Sequence, residues 1–421
     1  MNKNAFDTVV NLFGSAIPPI VALATAPILA GTLGTAGRGE VAAATAPLLL
    51  AVALASLGLP TAVNHWVSRS PAHTLRVFTI AAIATSVVGA GLTWLVCVAG
   101  HLAAGGDADL ARLIGLASLA LVPNLMAGLL QAVAAGHHAW RLVALERGIT
   151  HGSRLIALVT LMTAGTLTVE TAVLVIATSP VIGAAAYFRL LRRHGTILRP
   201  AAVGQVLSYG GRVWFGALAG IVLTRVDQSL MAPLAGTAAL GIYAVAVSLS
   251  DIPLVVSSAV RDVAFSRQSS NVDRDGLARA SRVTTLAVLA TCGITAALLP
   301  WFVPTFFGTD FTATIPVTLL LLAGCALSVP GSLAGVGLAA DGRPGLRSTS
   351  LLAAAACNLV LLIALAPEHG AMGAALATVG GTIVSNGMNL LFARRTLGLS
   401  VGELTLIRRA DFASLGRLRR D

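Results

Sequence analysis

The sequence predicts an all-α integral membrane protein of about twelve transmembrane helices, arranged as two pseudo-symmetric six-helix lobes. Three observations predict it. Hydrophobic residues make up 56% of the 421 and charged residues 11%, with a mean hydropathy of +0.86, too little polar surface to cover a water-soluble globule. Apolar runs of about twenty residues recur along the chain, each long enough to cross roughly 30 Å of hydrocarbon as a helix. Part of the chain is also written twice. Gly34-Thr35-Ala36, Gly39, Ala42 and Ala44 recur as Gly236-Thr237-Ala238, Gly241, Ala244 and Ala246, each 202 positions later, and both copies sit between long apolar runs. Self-similarity at a fixed offset is the mark of repeated architecture.

The first helix is expected from about Thr8 to Leu33, with Pro18, Pro19 and Pro27 bending it and freeing backbone groups that need partners inside the protein. Ala22-Leu23-Ala24 imitates a signal cleavage site, but the apolar run exceeds a signal peptide's, and the segment is expected to be retained. A glycine-rich turn, Gly34 to Gly39, leads to helix two, about Glu40 to Asn64. The third helix runs from about Leu75 to Ala99. After a turn carrying Asp107 and Asp109 come helix four (Leu113 to Ala135), five (Ala144 to Ala164) and six (Val169 to Leu190). The basic connection Leu191 to Pro200 divides an N-lobe, 1–195, from a C-lobe, 196–398. Helix seven covers about Val206 to Thr224, and helix eight, Leu234 to Val260, holds Asp251 and Pro253. Helices nine to twelve fall near Val283 to Val303, Pro316 to Ala339, Leu346 to Ala366 and Ala371 to Ala393, before a basic tail, 399–421.

The formal charge of +11 would point to nucleic acid in a soluble protein, but here the arginines lie between apolar segments and act as topology signals. The N-tail, the even-numbered connections and the C-tail hold 24 of the 28 basic residues; the opposite connections hold only Arg38 and Arg112, beside seven acids. Both termini are therefore expected in the cytoplasm, the tail arginines Arg408, Arg409, Arg417, Arg419 and Arg420 meeting the inner leaflet. Trp66, Trp140 and Trp214 at inner ends, with Trp94 and Trp301 at outer ends, suit aromatic belts. An even number of helices per repeat inserts both halves in the same orientation, about an axis along the membrane normal. Cys97, Cys292, Cys325 and Cys357 stand singly in apolar runs, without metal-ligand or disulfide spacing, and no cofactor or metal is expected.

Four stretches carry a family resemblance. They are Leu33-Gly34-Thr35-Ala36-Gly37-Arg38-Gly39-Glu40 with Ser56-Leu57-Gly58-Leu59-Pro60; Arg225-Val226-Asp227-Gln228 with Leu240 to Ala246; Phe307-Gly308-Thr309-Asp310-Phe311 with Ala340-Asp341-Gly342-Arg343; and Gly370 to Thr378. In order and spacing the chain resembles, over nearly its whole length, the polysaccharide flippases of bacterial envelope synthesis, within the multidrug, oligosaccharide-lipid and polysaccharide exporter superfamily. The resemblance implies a two-lobed transporter of the bacterial cytoplasmic membrane with a central cleft. It would move an oligosaccharide on a polyprenyl-phosphate carrier by alternating access, with proton or sodium coupling and glycan-assembly enzymes as partners. A phosphorylated sugar chain cannot cross hydrocarbon unaided, whereas its lipid tail stays in the bilayer.

Arg154 is the leading candidate for substrate contact. It lies about ten residues into helix five, near mid-membrane, and Arg147, His151 and Arg154 share a helical face at spacings of four and three. An intramembrane arginine costs at least about 2.5 to 3.5 kcal/mol on insertion scales and calls for a wet cavity or an anionic partner. The stripe either attracts the carrier phosphate or an acidic sugar, or forms a structural pair with Glu146. Asn11, Asn64 and His65, near the inner ends of helices one and two, would line the N-lobe's cleft or pack as ordinary interfacial residues. Arg225 and Asp227 are two apart and do not share a helix face, which points to separate partners and a lobe-contact role. Asp251 either carries a coupling proton or cation, or pairs with an arginine.

Two rivals remain. Drug and toxin exporters of the same superfamily share twelve helices, but the acidic cation site they carry on helix one has no counterpart here. A membrane-embedded glycosyltransferase or polymerase should have a sizeable acidic outer loop, and no outer connection is long enough. Flippases of the peptidoglycan precursor carry cations on their first helix and two further helices; no charged residue stands between Asp7 and Arg38.

Overall fold

The structure, a computed structural model, describes residues 3–188, 203–254, 257 and 274–405; the side chains of 3–13, 15, 16, 215–219 and 221–225 lie outside the described set. Its elements are helices, with no strand among the described residues. They are α1 (Lys3–Ala55), α2 (Leu59–Arg69), α3 (Thr74–Ala103), α4 (Ala108–Ser118), α5 (Leu121–Gly136), α6 (Trp140–Thr163), α7 (Val169–Ala184), α8 (Val203–Ser250), α9 (Arg274–Phe307), α10 (Thr314–Ala340), α11 (Pro344–Thr396) and α12 (Val401–Thr405).

Eight stretches of the described residues are long and apolar enough to cross a membrane. Those in α1 and α11 are each interrupted at an interior glycine and make two crossings. The first half of α8 and the charged α6 supply two more, giving the twelve expected. The exposed surface is what lipid requires. Helix α3 buries Val77, Ala81, Thr85 and Gly89 while Ile83, Val87, Trp94 and Val98 are more than half exposed, an apolar face turned outward.

Three expectations about local structure change. The turn between helices one and two shrinks to one residue, Gly34, at φ 69° and ψ −174°, and its repeat counterpart Gly236 takes the same conformation, φ 82° and ψ 167°. A side chain at either would sit in backbone space that is essentially reserved for glycine and costs an L-residue about 1–3 kcal/mol. Helix two does not run unbroken to Asn64. Helix α1 ends at Ala55, Leu57 and Gly58 have positive φ, and Pro60 in the first turn of α2 restarts the helix. Helix four is divided at Leu119–Ala120, because the ring of Pro123 conflicts with the carbonyl of Leu119 four residues earlier.

The chain forms two compact units, Met1–Ala244 and Val245–Asp421. In the first, a core from α2, α3 and α5 gathers Leu59, Val63, Val67, Val77, Leu129 and Val133 with Tyr187 and Val206. The same unit contains the first copy of the repeated motif and the second as far as Ala244, and there they touch. A Cβ on Gly39 would lie 1.7 Å from the Thr237 carbonyl oxygen, and a Cβ on Gly241 would lie 2.0 Å from that of Thr35. The two helix starts therefore cross backbone to backbone, each through the glycine the other copy also carries. In the second unit α10 lies along α11, and the first residues of the sequence tail dock rather than hang free. Leu399 and Leu404 are buried, Ser281 donates to the Leu404 carbonyl at 2.8 Å and Arg282 to that of Glu403 at 2.6 Å. The tail arginines beyond residue 405, and the connection 191–200, lie outside the described residues.

Candidate functional site

Helices α5, α6, α7 and the second half of α1 enclose a cavity of about 290 Å³ in the first unit. Thr45, Leu48, Leu49 and Val52 come from α1, and Asn124, Ala127, Gly128 and Gln131 from α5. Glu146 and Arg154 come from α6, Ile176 and Pro180 from α7. The wall is mostly apolar, and the two charged groups enter it from one helix, eight residues or a little over two turns apart.

Pro180 explains how Arg154 is held. Proline has no N–H to give the carbonyl four residues earlier, so Ile176 in α7 keeps a free acceptor. Into that gap Ser179 Oγ donates at 3.2 Å and Arg154 Nη2 at 3.5 Å. The guanidinium also donates to Ser179 Oγ from Nε at 3.1 Å and from Nη2 at 2.9 Å. Among the described residues both partners are neutral. The charge is oriented by neutral partners at the edge of a mostly apolar cavity, where it is screened less than in bulk water.

Glu146, only 8% exposed, is not paired with Arg154. Its carboxylate accepts from Thr150 Oγ1 at 2.8 Å, Gln131 Nε2 at 3.2 Å and the Tyr187 hydroxyl at 3.5 Å. Close helix packing makes this possible: a Cβ on Gly183 of α7 would lie 1.8 Å from Thr150 Oγ1. On the neighbouring face Asn124 Nδ2 donates to the Ala120 carbonyl at 2.8 Å and to the Ala177 carbonyl at 3.0 Å, tying α5 to α7.

The remaining sequence candidates scatter. Arg147 does not line the cavity; its guanidinium lies against Gly14 of α1, where a Cβ would sit 3.7 Å from Nη1. His151 is half-buried with a Nδ1 that has no hydrogen-bond partner among the described atoms. His65 stacks on Tyr209 of α8, ring centroids 4.4 Å apart at 19°, and meets Trp66 edge-on, while Asn64 beside it is half-buried. Asp227 is buried, accepts from the Tyr243 hydroxyl and from the backbone N–H of Gln228, and sits in the same unit as both. Asp251 stands at a one-residue irregularity between α8 and the helical residues 252–254, its side chain exposed; its N–H still donates to the Val247 carbonyl at 2.9 Å, and Pro253 falls in the first turn of the helical residues that follow, where its missing N–H is tolerated. The side chains of Asn11 and Arg225 lie outside the described residues. Sequence reading missed Ser179, Gln131, Thr150 and Tyr187. The Ser179-Pro180 pair was the one available signal, since a proline within an apolar helix leaves a carbonyl that something must meet.

Comparison with known proteins adds a family and a fold. The family model described as "Polysaccharide biosynthesis protein" matches residues 6–266. No curated protein matches the sequence. Among solved structures, the lipid II flippase MurJ in an inward closed conformation superposes with a TM-score of 0.77 at 14% identity, over 95% of this chain and 89% of that one. An inward-facing multidrug resistance transporter of the MATE family, in the MOP superfamily, gives 0.72 at 13% identity, over 93% and 98%. A MOP superfamily transporter from Pyrococcus furiosus, described as having a binding pocket of reversed polarity, gives 0.62 at 13% identity, over 93% and 94%.

Proposed function

Because the chain belongs to the polysaccharide biosynthesis protein family, we propose that it flips a polyprenyl-phosphate-linked oligosaccharide across the bacterial cytoplasmic membrane, for assembly of a surface polysaccharide. One observation carries the reading: Arg154 sits at an apolar cavity, fixed by a serine and a freed carbonyl, its charge left available. A lipid-linked glycan offers what such a wall accepts, an anionic phosphate or acidic sugar joined to a hydrocarbon tail. On this reading the protein is a transporter and not an enzyme, it works by alternating access, both termini face the cytoplasm, and Arg147 extends the positive field beside the cavity.

Deleting the gene tests it. The expected result is a lipid-linked oligosaccharide accumulating on the inner leaflet, cleared when the gene is restored. A deletion that changes only sensitivity to drugs, with no such intermediate, would replace this reading by the extruder one.

A further inference from the structure

We propose that Glu146 is a proton-binding site of the first unit, loading and unloading one proton as the transporter cycles. The proposal deepens the flippase reading and rests on it. Its basis is the shell around the carboxylate. Thr150, Gln131 and Tyr187 all donate to it, at 2.8, 3.2 and 3.5 Å, and each of the three is equally able to accept. An arginine or lysine in any of those places would lock the group as an anion. Here, when a proton bonds to a carboxylate oxygen, the new O–H needs an acceptor, and the Gln131 amide supplies one by turning its Oε1 inward. Both protonation states are thus hydrogen-bonded without any helix having to move, which a buried polar group otherwise requires at considerable cost.

The position fits an exchangeable proton. Glu146 and Gln131 border the same cavity as Arg154, so the proton has a route to the site and lies in the field of the charge proposed to hold substrate. An anion arriving at Arg154 would neutralise that field and favour protonation of Glu146; its departure would do the reverse. The other titratable or charged groups around Glu146 among the described side chains are Arg147, His151 and Arg154 of its own helix and Tyr187. Gln131 of α5 and Gly183 of α7 face it as neutral groups, as does the cavity-lining part of α1. The two cations among them, Arg147 and Arg154, disfavour protonation, so loading by substrate and loading by proton are linked in sign.

Infrared titration of the protein reconstituted in liposomes reads the proton without any substrate. A carboxylic-acid C=O band that appears as pH falls, and is lost in Glu146→Gln, is expected. The same titrating band in Glu146→Gln would overturn the proposal. Should that variant fail to assemble, Gln131→Met removes the switching partner and is expected to shift both the frequency and the midpoint of the band; an unchanged band overturns it equally. Transport separates this claim from the one beneath it. With the lipid-linked oligosaccharide as probe, Glu146→Gln is expected to lose stimulation by an imposed pH gradient. Stimulation equal to wild type refutes the role of Glu146 and leaves the flippase reading intact. A titrating Glu146 band in a protein that moves no such lipid supports the proton site and refutes the flippase reading.

Discussion

Arg154 illustrates how little of a site one residue specifies. Its charge and depth follow from the sequence alone, and an intramembrane guanidinium carries an insertion cost of about 2.5 to 3.5 kcal/mol wherever it points. What it does depends on Ser179 and the Ile176 carbonyl, twenty-odd residues away, and no spacing rule connects them. Arg154→Gln keeps the volume and loses the charge. Charge-assisted hydrogen bonds contribute about 1.5–3 kcal/mol, so export should fall roughly tenfold or more with protein abundance retained, measured as surface glycan per unit of membrane protein. Arg154→Lys keeps a point charge without the planar fork and should fall between the two. Gly183→Ala tests the packing behind Glu146. Its Cβ cannot coexist with Thr150 Oγ1, so the α6–α7 contact should open at a cost of about 1–3 kcal/mol, read as a lower melting midpoint in detergent.

At the level of helices, proline and glycine were legible and their consequences were only partly so. The repeat placed Gly34 and Gly236 in equivalent positions, and they share one backbone conformation. Pro123 and Pro60 carried enough information to divide helices four and two, yet hydropathy runs straight through both breaks, because apolar side chains continue on either side of a backbone interruption. The docking of α12 on α9 through Ser281 and Arg282 was hidden, since a contact of more than a hundred residues in sequence leaves no local trace. Two glycines in α1 offer a controlled comparison. Gly31 has nothing within 4 Å of a Cβ, so Gly31→Ala should be neutral or raise the melting midpoint slightly, alanine being preferred to glycine in a helix by up to about 1 kcal/mol. Gly39→Ala should lower it, by overpacking against Thr237 worth about 1–3 kcal/mol. Equal midpoints for the two variants would mean that the crossing of the repeats is looser than its geometry.

For the whole molecule, composition and the alternation of arginines announced a membrane protein, and twelve helices in the fold of known flippases and exporters are what the chain forms. Orientation is the expectation that most directly invites measurement. A green fluorescent protein fused after Asp421 should fluoresce, since it matures in the cytoplasm, while an alkaline phosphatase in the same place should be inactive. The reversed pattern would place the arginine-rich connections outside and remove the basis for inner-leaflet loading.

The crossing of Gly39 with Gly241 bears on which substitutions the chain can accept as well as on its stability. After a duplication the two halves are free to drift apart wherever each packs only against itself. Where one copy rests on the other, a bulkier residue in either is a collision for both. Ala42, Ala44 and Ala244 of the same unit are likewise buried, at 6%, 0% and 4% exposure. The matching glycines thus lie at the spot where neither stretch leaves the other room for a larger residue.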